Sequence, residues 1–481
     1  MSAADLTALL PLLVLSGTVV LLMLAIAFFR HRTLATAIVL AGLTVALLAI
    51  LPASRVAPQE VTGLLRIDGY ALFYVGLLLV AALVVAVLSH GYLGGQSGPR
   101  EEFGLLLLLA TLGSAVLAAS THFASFFLGL EILSVSLYGL IAYLRHRDRS
   151  LEAGVKYLIL AAASSAFLLF GMALVYADQG TLAFQKLVVS RPNLSGESLS
   201  PLFLAGLGLM TVSLAFKLAI VPFHLWAADV YEGAAAPVTA FVATVSKGGV
   251  FALLVRFLTG IGHEAYRPIF IAITALAVAS MLAGNLLALL QQNVKRLLAY
   301  SSIAHLGYLL VAFLASGSLA LTASTFYLVG YIVTTLAAFG VVTVLSTPEG
   351  DADDLEAYRG LFWQRPGLAL VLALSLFSLA GMPLTAGFVG KIYLVAAGAG
   401  SALWLLVIVL AVGSAVGLYY YLRWIVVMYQ QPDSVSEPSS GPALPLAGGA
   451  VLGLLLLVLV WLGVYPAPLL DLIETVVASL T

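Results

Sequence analysis

Residues 214–249 read LAFKLAIVPFHLWAADVYEGAAAPVTAFVATVSKGG, and this stretch decides the fold class. Lys217 and Lys247 lie in apolar runs long enough for membrane helices, and Pro222 interrupts the first of these runs. An unpaired ammonium in mid-membrane costs roughly 3 kcal/mol or more, so a lysine found there has either a function or a specific partner. The stretch therefore predicts a polytopic membrane protein with charges in its interior.

The composition of the whole chain agrees with this prediction. Of 481 residues, 62% are hydrophobic and 9% are charged, and the mean hydropathy is +1.12. These values exclude a soluble globular protein, a disordered chain and a collagen-like fibre. The net charge of −1 argues against nucleic acid as a partner, and the absence of cysteine removes disulfides and iron–sulfur ligation by this chain. No phosphate-binding glycine motif is present, so we expect no cofactor on this chain.

Apolar stretches recur along the entire sequence, and we interpret them as fourteen transmembrane helices of an all-α protein. They are too long for barrel strands, and only helices satisfy backbone polar groups within one segment in lipid. The predicted spans are 7–29, 33–52, 68–89, 103–120, 122–143, 154–177, 201–222, 237–260, 267–290, 299–316, 319–346, 366–397, 402–429 and 443–465.

The distribution of Lys and Arg predicts the orientation in the membrane. Loops after odd-numbered spans carry eleven of these residues, and the opposite loops carry five. Because positive loops stay inside, the odd loops should be cytoplasmic and both termini should lie on the other side. The acidic run 349–356 then falls on the cytoplasmic side, where we expect a solvated loop.

Three lysines lie deep within predicted spans: Lys217, Lys247 and Lys391. Glu131 is the one carboxylate well inside a span, about 21 Å from the cytoplasmic edge at the helical rise. One carboxylate cannot neutralise three lysines. Burial disfavours the charged lysine and a nearby carboxylate favours it, so such a row can gain and lose protons. We therefore expect Glu131 and Lys217 to make contact and gate proton entry; the alternative is that the lysines belong to buried ion pairs that hold helices in register.

Other charged and titratable residues have two interpretations each. Arg256 is near a helix end and should extend to the interface. Lys156 follows Glu152 by four residues, which is typical of a surface pair on a helix but does not exclude a function. His224 and His305 are either proton relays or hydrogen-bonded core residues.

Two prolines mark predicted breaks in the helices. Pro222 in span seven and Pro383 in span twelve each lie close to a buried lysine. Interrupted helices at matching positions in two halves are typical of inverted repeats with a transport site at the break. The predicted units are helices 4–8 and 9–13, and their odd offset of five helices inverts the topology.

Four ordered stretches resemble a known family. They are ASFFLGLEILSVSLYGLIAYL (124–144), the opening stretch (214–249), GNLLALLQQNVKRLLAYSSIAHLGYLL (284–310) and LAGMPLTAGFVGKIYL (379–394). Together they resemble the antiporter-like subunits of respiratory complex I, the NADH:quinone oxidoreductase, over about residues 100–430. Subunit L of this family has a long lateral helix that is not evident here, and subunit M has glutamate where this chain has Lys391. The sequence therefore most resembles the N type, which is related to mitochondrial subunit 2.

The resemblance implies a fourteen-helix fold with two inverted five-helix repeats and broken helices seven and twelve. It also implies roles for individual residues. The family's proton-translocating residues match Glu131, Lys156, Lys217, Lys247 and Lys391, with Lys247 central and Lys391 on the exit side.

Two histidines also match this family, since His224 and His305 occupy positions on its polar axis. The implied organisation is N-terminal helices over 1–100, a proton-translocating core over 101–430, and a last helix with a tail over 431–481.

The resemblance implies a proton-translocating, non-redox subunit in a bacterial inner membrane. NADH, FMN, iron–sulfur clusters and quinone would be bound by partner subunits, and the neighbours would be subunit M and the small K, J and A subunits. Two alternatives remain: a subunit of an Mrp-type cation/proton antiporter, and a structural spacer of the membrane arm whose lysines serve only helix packing.

Overall fold

The structure of the chain is a computed structural model that describes residues 1–96, 100–187, 200–261, 267–315, 317–431 and 446–480. Thirteen of the described helical segments are long and apolar enough to cross a membrane. Two shorter apolar helices together occupy the predicted twelfth span. The all-α polytopic class is therefore confirmed, and the count of fourteen crossings stays a prediction. Arg191 and the first residues of predicted span fourteen, 443–445, lie outside the described residues.

The N-terminal part contains helices and one short hairpin. Its elements are α1 (Ala3–Ala8), α2 (Leu10–Phe28), α3 (Arg32–Leu48), α4 (Ile50–Val56), β1 (Gln59–Val61), β2 (Leu65–Ile67) and α5 (Gly69–Gly94). The two strands pair antiparallel, with Val61 opposite Leu65.

Two five-helix units follow, and the fourth span of each unit is broken, as predicted. The first unit consists of α6 (Glu101–Ala119), α7 (Phe123–Ile141), α8 (Asp148–Gln179), the broken pair α9 (Pro201–Leu218) and α10 (Leu225–Gly233), and the last span α11 (Ala236–Phe241) with α12 (Lys247–Ile261). The second unit consists of α13 (Arg267–Leu289), α14 (Val294–Leu314), α15 (Ser318–Leu345), the short α16 (Leu361–Gln364), the broken pair α17 (Pro366–Ala380) and α18 (Ala386–Gly400), and α19 (Trp404–Tyr429). Two helices end the chain, α20 (Leu446–Val464) and α21 (Ala467–Ala478).

Both broken spans end their first helix in the same way. After α9, Ala219 has a left-handed backbone with φ of +58°, and the Ile220 N–H donates to a carbonyl five residues earlier at 2.8 Å. After α17, Gly381 has φ of +84°, and the Met382 N–H donates to a carbonyl five residues earlier at 2.9 Å. This is the Schellman ending, which reverses the chain and satisfies freed carbonyls. The prolines flagged by the sequence follow within three residues and prevent the helix from continuing.

The eighth span is not a regular α-helix. A π-helical turn, Val242–Ser246, lies between α11 and α12, directly before Lys247. Beyond it, Gly249 lies against α6: a Cβ at this position would be 2.8 Å from the Cβ of Ser114. Glycine at this position therefore lets α6 approach α12 closely beside Lys247.

The core of the molecule is formed by three spans. The α11–α12 span is entirely buried over its most apolar window, and α14 and α15 are 94% and 89% buried over theirs. Outer spans such as α2, α13 and α20 are buried over about a third or less of theirs. Several buried polar side chains, among them Lys247, Ser302 and His305, lie on these three central spans.

Some described elements have no counterpart among the predicted ones. The β1–β2 hairpin and α10 are too short to stand out in an apolar pattern. The sequence predicted a tail after the last helix without assigning it a structure, and this tail forms the separate helix α21. There Leu470, Ile473 and Val477 form one buried stripe packed with Phe326 of α15, a spacing typical of an amphipathic helix.

Candidate functional site: a row of buried lysines

Lys217 occupies the last turn of α9, and its side chain is buried. Its ammonium donates to the hydroxyl of Ser134 on α7 at 2.6 Å. Glu131, one turn before Ser134 on the same helix, accepts a hydrogen bond from Ser165 on α8. In the described part of the chain Glu131 and Lys217 form no ion pair, so the predicted direct contact is absent and a hydroxyl stands where the carboxylate was expected.

Lys247 begins α12 and is 1% exposed. Its ammonium donates to the hydroxyl of Ser302 on α14 at 2.5 Å. The same oxygen accepts a hydrogen bond from Tyr331 of α15 at 2.7 Å, so Ser302 joins three spans at one point. The ring of Tyr231 lies 5.5 Å from the ammonium.

Lys391 lies in the second turn of α18 and reaches back across the break of span twelve. Its ammonium donates to the carbonyls of Leu379 and Ala380, the last two residues of α17, at 2.9 Å each. The side chain passes over Gly381, where a Cβ would lie 2.8 Å from its Cδ. Only glycine combines this close approach with the positive φ of the break.

The three buried ammonium groups have the same kind of surroundings. Each lies 5.4–5.6 Å from an aromatic ring and donates to neutral oxygens, and none forms an ion pair within the described residues. The ring face attracts a cation, and the carbonyl end of a helix carries a partial negative charge. The alternative in which these lysines are halves of buried ion pairs does not match this arrangement. Their positive charge is supported only weakly, which is what a group that must release a proton requires.

One face of α14 connects Lys247 with Lys391. Ser302, His305 and Tyr308 follow each other at three-residue intervals, so they line one side of the helix. The His305 ring bonds the hydroxyl of Tyr327 at 2.6 Å and lies 5.4 Å from the ring of Tyr308. Tyr308 in turn is the aromatic ring beside Lys391. Sequence reasoning identified His305 but missed Ser302 and Tyr308, although their spacing in the quoted stretch 284–310 was visible.

No comparable chain connects Lys217 with Lys247. Among the described residues, no side-chain hydrogen bond joins the surroundings of the two lysines. Lys217 has the rings of Tyr157 and Phe216 near it, and Lys247 has that of Tyr231. A proton that passes here needs water or a rearrangement of side chains.

Lys156 lies outside the row of buried lysines. It lines a polar cavity of about 110 Å³ between the start of α8 and α10. It pairs with Glu152 at 2.6 Å, as predicted, and also with Asp229 of α10 at 2.8 Å. Arg296 bridges Asp229 and Glu232 at 2.8 and 2.9 Å. These charged side chains form a connected cluster at the surface. The sequence indicated only the pair of Glu152 and Lys156, because members of the cluster lie up to 144 positions apart.

His224 lies across the break of span seven from Lys217, directly before α10. It makes no side-chain capping bond to that helix and is buried. Within the described residues its Nδ1 has no hydrogen-bond partner. The structure therefore places His224 at the break and His305 in the row.

Asp351 corrects the expectation of a solvated acidic loop. Its side chain is 4% exposed and accepts from Arg147 at 2.9 Å, from Lys295 at 2.6 Å and from the Tyr92 hydroxyl at 2.6 Å. We call these four residues the Asp351 clamp. Burial alone would raise the pKa of the Asp351 carboxyl, but Lys295 and the hydrogen-bond donors around it lower that pKa below its ordinary value. The sequence counted Lys295 as a loop residue, whereas it lies in the first turn of α14 and is buried.

Arg256 also departs from its expected place. It does not extend to the interface but is 5% exposed and forms a two-pronged ion pair with Asp68, at 2.7 and 2.9 Å. Its guanidinium also donates to the Ala118 carbonyl and lies over the ring of Tyr70. The pairing could not be inferred locally, because Asp68 caps α5, 188 positions earlier.

The described residues contain no group of three His, Cys, Asp or Glu side chains that could hold a metal ion. The groups that the structure brings together in the row are lysine, histidine, tyrosine and serine side chains. These groups can bind and pass protons.

The chain matches known membrane proteins over most of its length. Residues 120–417 match the family model described as the transmembrane part of NADH:quinone oxidoreductase and Mrp antiporters. NADH-quinone oxidoreductase subunit N of Ectopseudomonas mendocina (strain ymp) is 51% identical, over 98% of this chain and 97% of that protein.

Solved structures give the same result at the level of the fold. A chain of respiratory complex I from Thermus thermophilus is 34% identical with a TM-score of 0.81, over 96% of this chain and 98% of that one. A chain of the Mrp complex from Dietzia sp. DQ12-45-1b is 21% identical with a TM-score of 0.86, covering 100% of this chain and 98% of that one. The latter likeness shows a common fold only. The chain belongs to the NADH:quinone oxidoreductase/Mrp antiporter family of membrane subunits, within which it groups with NADH-quinone oxidoreductase subunit N.

Proposed function

We propose that this chain translocates protons in the membrane arm of an NADH:quinone oxidoreductase, with Lys217, Lys247 and Lys391 as its proton carriers. The observation that carries the proposal is the common environment of the three ammonium groups, each buried among neutral oxygens and an aromatic ring. A purely structural lysine would be expected to have a carboxylate partner, as Lys295 does.

The route that we propose follows the order of the contacts. The surface cluster around Lys156 collects protons, Lys217 receives them, and Lys247 passes them along the face of α14 through His305 to Lys391. The interval between Lys217 and Lys247 is the controlled step, since it has no hydrogen-bonded connection among the described side chains.

Glu131 supplies the control in this proposal. In the structure its carboxylate is held by Ser165, while Lys217 is held by Ser134 one turn away. A movement of Glu131 toward Lys217 stabilises the charged form of Lys217, which then keeps its proton. The separation of the two side chains in this structure favours release of that proton. The work required is about 2.3 kcal/mol per charge for each 100 mV of membrane potential.

The redox chemistry would belong to other subunits. We propose that this chain binds none of NADH, FMN, iron–sulfur clusters or quinone, and that the neighbouring membrane subunits include subunit M and the small K, J and A subunits. We also propose a bacterial inner-membrane location with both termini on the periplasmic side, and a proton-translocating core over 101–430. The absence of cysteine supports the exclusion of iron–sulfur ligation.

The test compares Lys247→Met with the matched control Lys186→Met, a lysine that is exposed outside the membrane spans. Methionine keeps the length of the side chain and removes the charge. We expect both complexes to assemble, and we expect only the Lys247 variant to lose most NADH-driven proton uptake into vesicles. Normal pumping by an assembled Lys247→Met complex would reject the role and favour the structural spacer. Transport of sodium in place of protons by the wild type would favour the Mrp-type alternative.

A further inference from the structure

A crevice between α3, α5 and α6 collects positive charge at one end of the membrane-spanning bundle. Its lining includes Arg32 at the start of α3, His90 near the end of α5, and Arg100 just before α6. The enclosed space amounts to about 30 Å³, and the crevice is open to its surroundings. This end of the molecule is also that of the Asp351 clamp, because the Gln96 amide donates to the Thr347 carbonyl beside that loop.

Neither arginine of this crevice forms an ion pair within the described residues, although Glu101 lines the same crevice. Arg32 donates to the carbonyl of His90 and Arg100 donates to that of Gln96, and the described residues place no carboxylate within ion-pair distance of either guanidinium. A guanidinium has five N–H donors, so most of them remain available on both side chains. Two like charges that face one crevice also repel each other, and a bound anion would remove this cost.

The nearby acids are engaged elsewhere. Glu102 pairs with Arg30 at 3.2 Å. Glu101 accepts from the backbone N–H of Arg100 at 3.1 Å, at the first turn of α6. The chain therefore supplies one carboxylate to the lining, and that carboxylate is directed at the backbone.

Away from the helix ends the lining is mostly apolar. It includes Ala35 and Val39 on α3, Ala86 on α5, and Gly104 and Leu107 on α6. A site with cationic groups at the level of the helix ends and an apolar wall toward the membrane matches the two parts of a phospholipid. Basic pockets between membrane helices are known to hold anionic headgroups, and guanidinium forks bind phosphate through two parallel hydrogen bonds.

We propose that the crevice between α3, α5 and α6 is a binding site for the phosphate headgroup of an anionic phospholipid, held by Arg32 and Arg100. The glycerol and upper acyl chains lie along the apolar wall, and Thr36 and His90, which bond each other at 3.1 Å, form the polar rim. The bound lipid fixes the N-terminal helices to the five-helix unit that begins at α6.

The first experiment uses the wild-type complex and a photoactivatable phosphatidylglycerol in phosphatidylethanolamine vesicles. We expect cross-links in peptides that contain 32–39 and 86–93, well above those of a phosphatidylethanolamine probe of the same chain length. Equal labelling by both probes would overturn the proposal. Loss of the cross-links in excess inorganic phosphate would also overturn it, because the occupant would then be a soluble anion.

The second experiment compares the double variant Arg32→Gln, Arg100→Gln with Arg145→Gln, an exposed arginine at the same end but outside the crevice. The loss of two basic contacts should weaken lipid binding roughly 30-fold, and the control should bind like the wild type. Unchanged lipid content in the double variant would reject the site. If that variant fails to assemble, Arg32→Lys, Arg100→Lys keeps the charge and removes the forks, and wild-type-level binding by it would exclude the proposed bidentate contact.

Discussion

The replacement Asp351→Asn tests the Asp351 clamp, which joins α5, the connection before α8, and α14. The change keeps the shape of the side chain and leaves Lys295 and Arg147 without their shared carboxylate. Removing one partner of a buried ion pair costs about 3–5 kcal/mol. Lys295 retains the Ala234 carbonyl at 2.7 Å, so we expect the lower end, about 3 kcal/mol.

This loss of stability should appear as local unfolding of the segments that the Asp351 clamp holds together. The backbone N–H of Val294 donates to the Asp353 carbonyl at 2.7 Å, and that of Leu355 donates to the Gln292 carbonyl at 3.0 Å. A loss of about 3 kcal/mol raises the population of the open form about 150-fold. Hydrogen exchange followed by mass spectrometry should therefore show protection falling by that factor in peptides covering 292–298 and 351–358.

Asp354→Asn is the matched control. It makes the same chemical change in the same loop, but Asp354 is exposed and forms no ion pair within the described residues; its carboxylate accepts from the N–H of Glu356 at 3.2 Å. We expect almost no change in protection. Equal effects of the two substitutions, or none from Asp351→Asn, would refute the reasoning. In a double-mutant cycle, adding Lys295→Met to Asp351→Asn should cost less than the sum of the single changes, because the stranded ammonium is gone.

The same carboxyl predicts a pH dependence. Because the folded state lowers the pKa of Asp351, its contribution to stability is complete above the ordinary value of 3.8 and is lost as pH falls through the lower folded value. Protection of the loop should therefore be flat from neutral pH down to about pH 5 and fall in stronger acid. The Asp351→Asn variant should lack this acid-dependent loss.

Three further predictions concern the row and the topology. Glu131→Gln and Lys217→Met should each impair pumping, and a double-mutant cycle on the pumping rate should show coupling; strictly additive effects would mean that the two residues act independently. Gly249→Ala should force α12 away from α6 at a cost of about 1–3 kcal/mol and reduce pumping, whereas Gly208→Ala, with open space around it, should not; equal activity of the two variants would contradict the close approach. A reporter fused after Thr481 should be inactive if it requires the cytoplasm, and a cytoplasmic signal would reverse the predicted topology.

The long apolar helices and the two breaks were accessible from the sequence because lipid imposes simple rules. A span needs about 20 apolar residues, and a proline inside one demands an explanation. Lys217, Lys247 and Lys391 stood out for the same reason, since a charge is conspicuous against Leu and Ala. These inferences required only composition and depth.

The partners of the lysines were not accessible, because they are ordinary residues brought together by the fold. Ser134 is 83 positions from Lys217, and Ser302 is 55 from Lys247. Sequence reasoning expected the one deep carboxylate, Glu131, to contact Lys217, and it had no means of identifying the serines. Asp351 was misread for a different reason: an acid among other acids in a polar segment looks solvated, and its burial depends on cations 56 and 204 positions away.

The π-helical turn before Lys247 has a consequence for register. Such a turn accommodates one residue more than an α-helical turn, so the faces of the helix before and after it are offset by about 100°. Within one span, α11 can therefore keep the face that packs on its neighbours while α12 aims Lys247 at Ser302. Deletion of a single residue from Val242–Ser246 would restore a continuous helix and rotate one of these faces out of place, although every side chain of the row would still be present in the sequence.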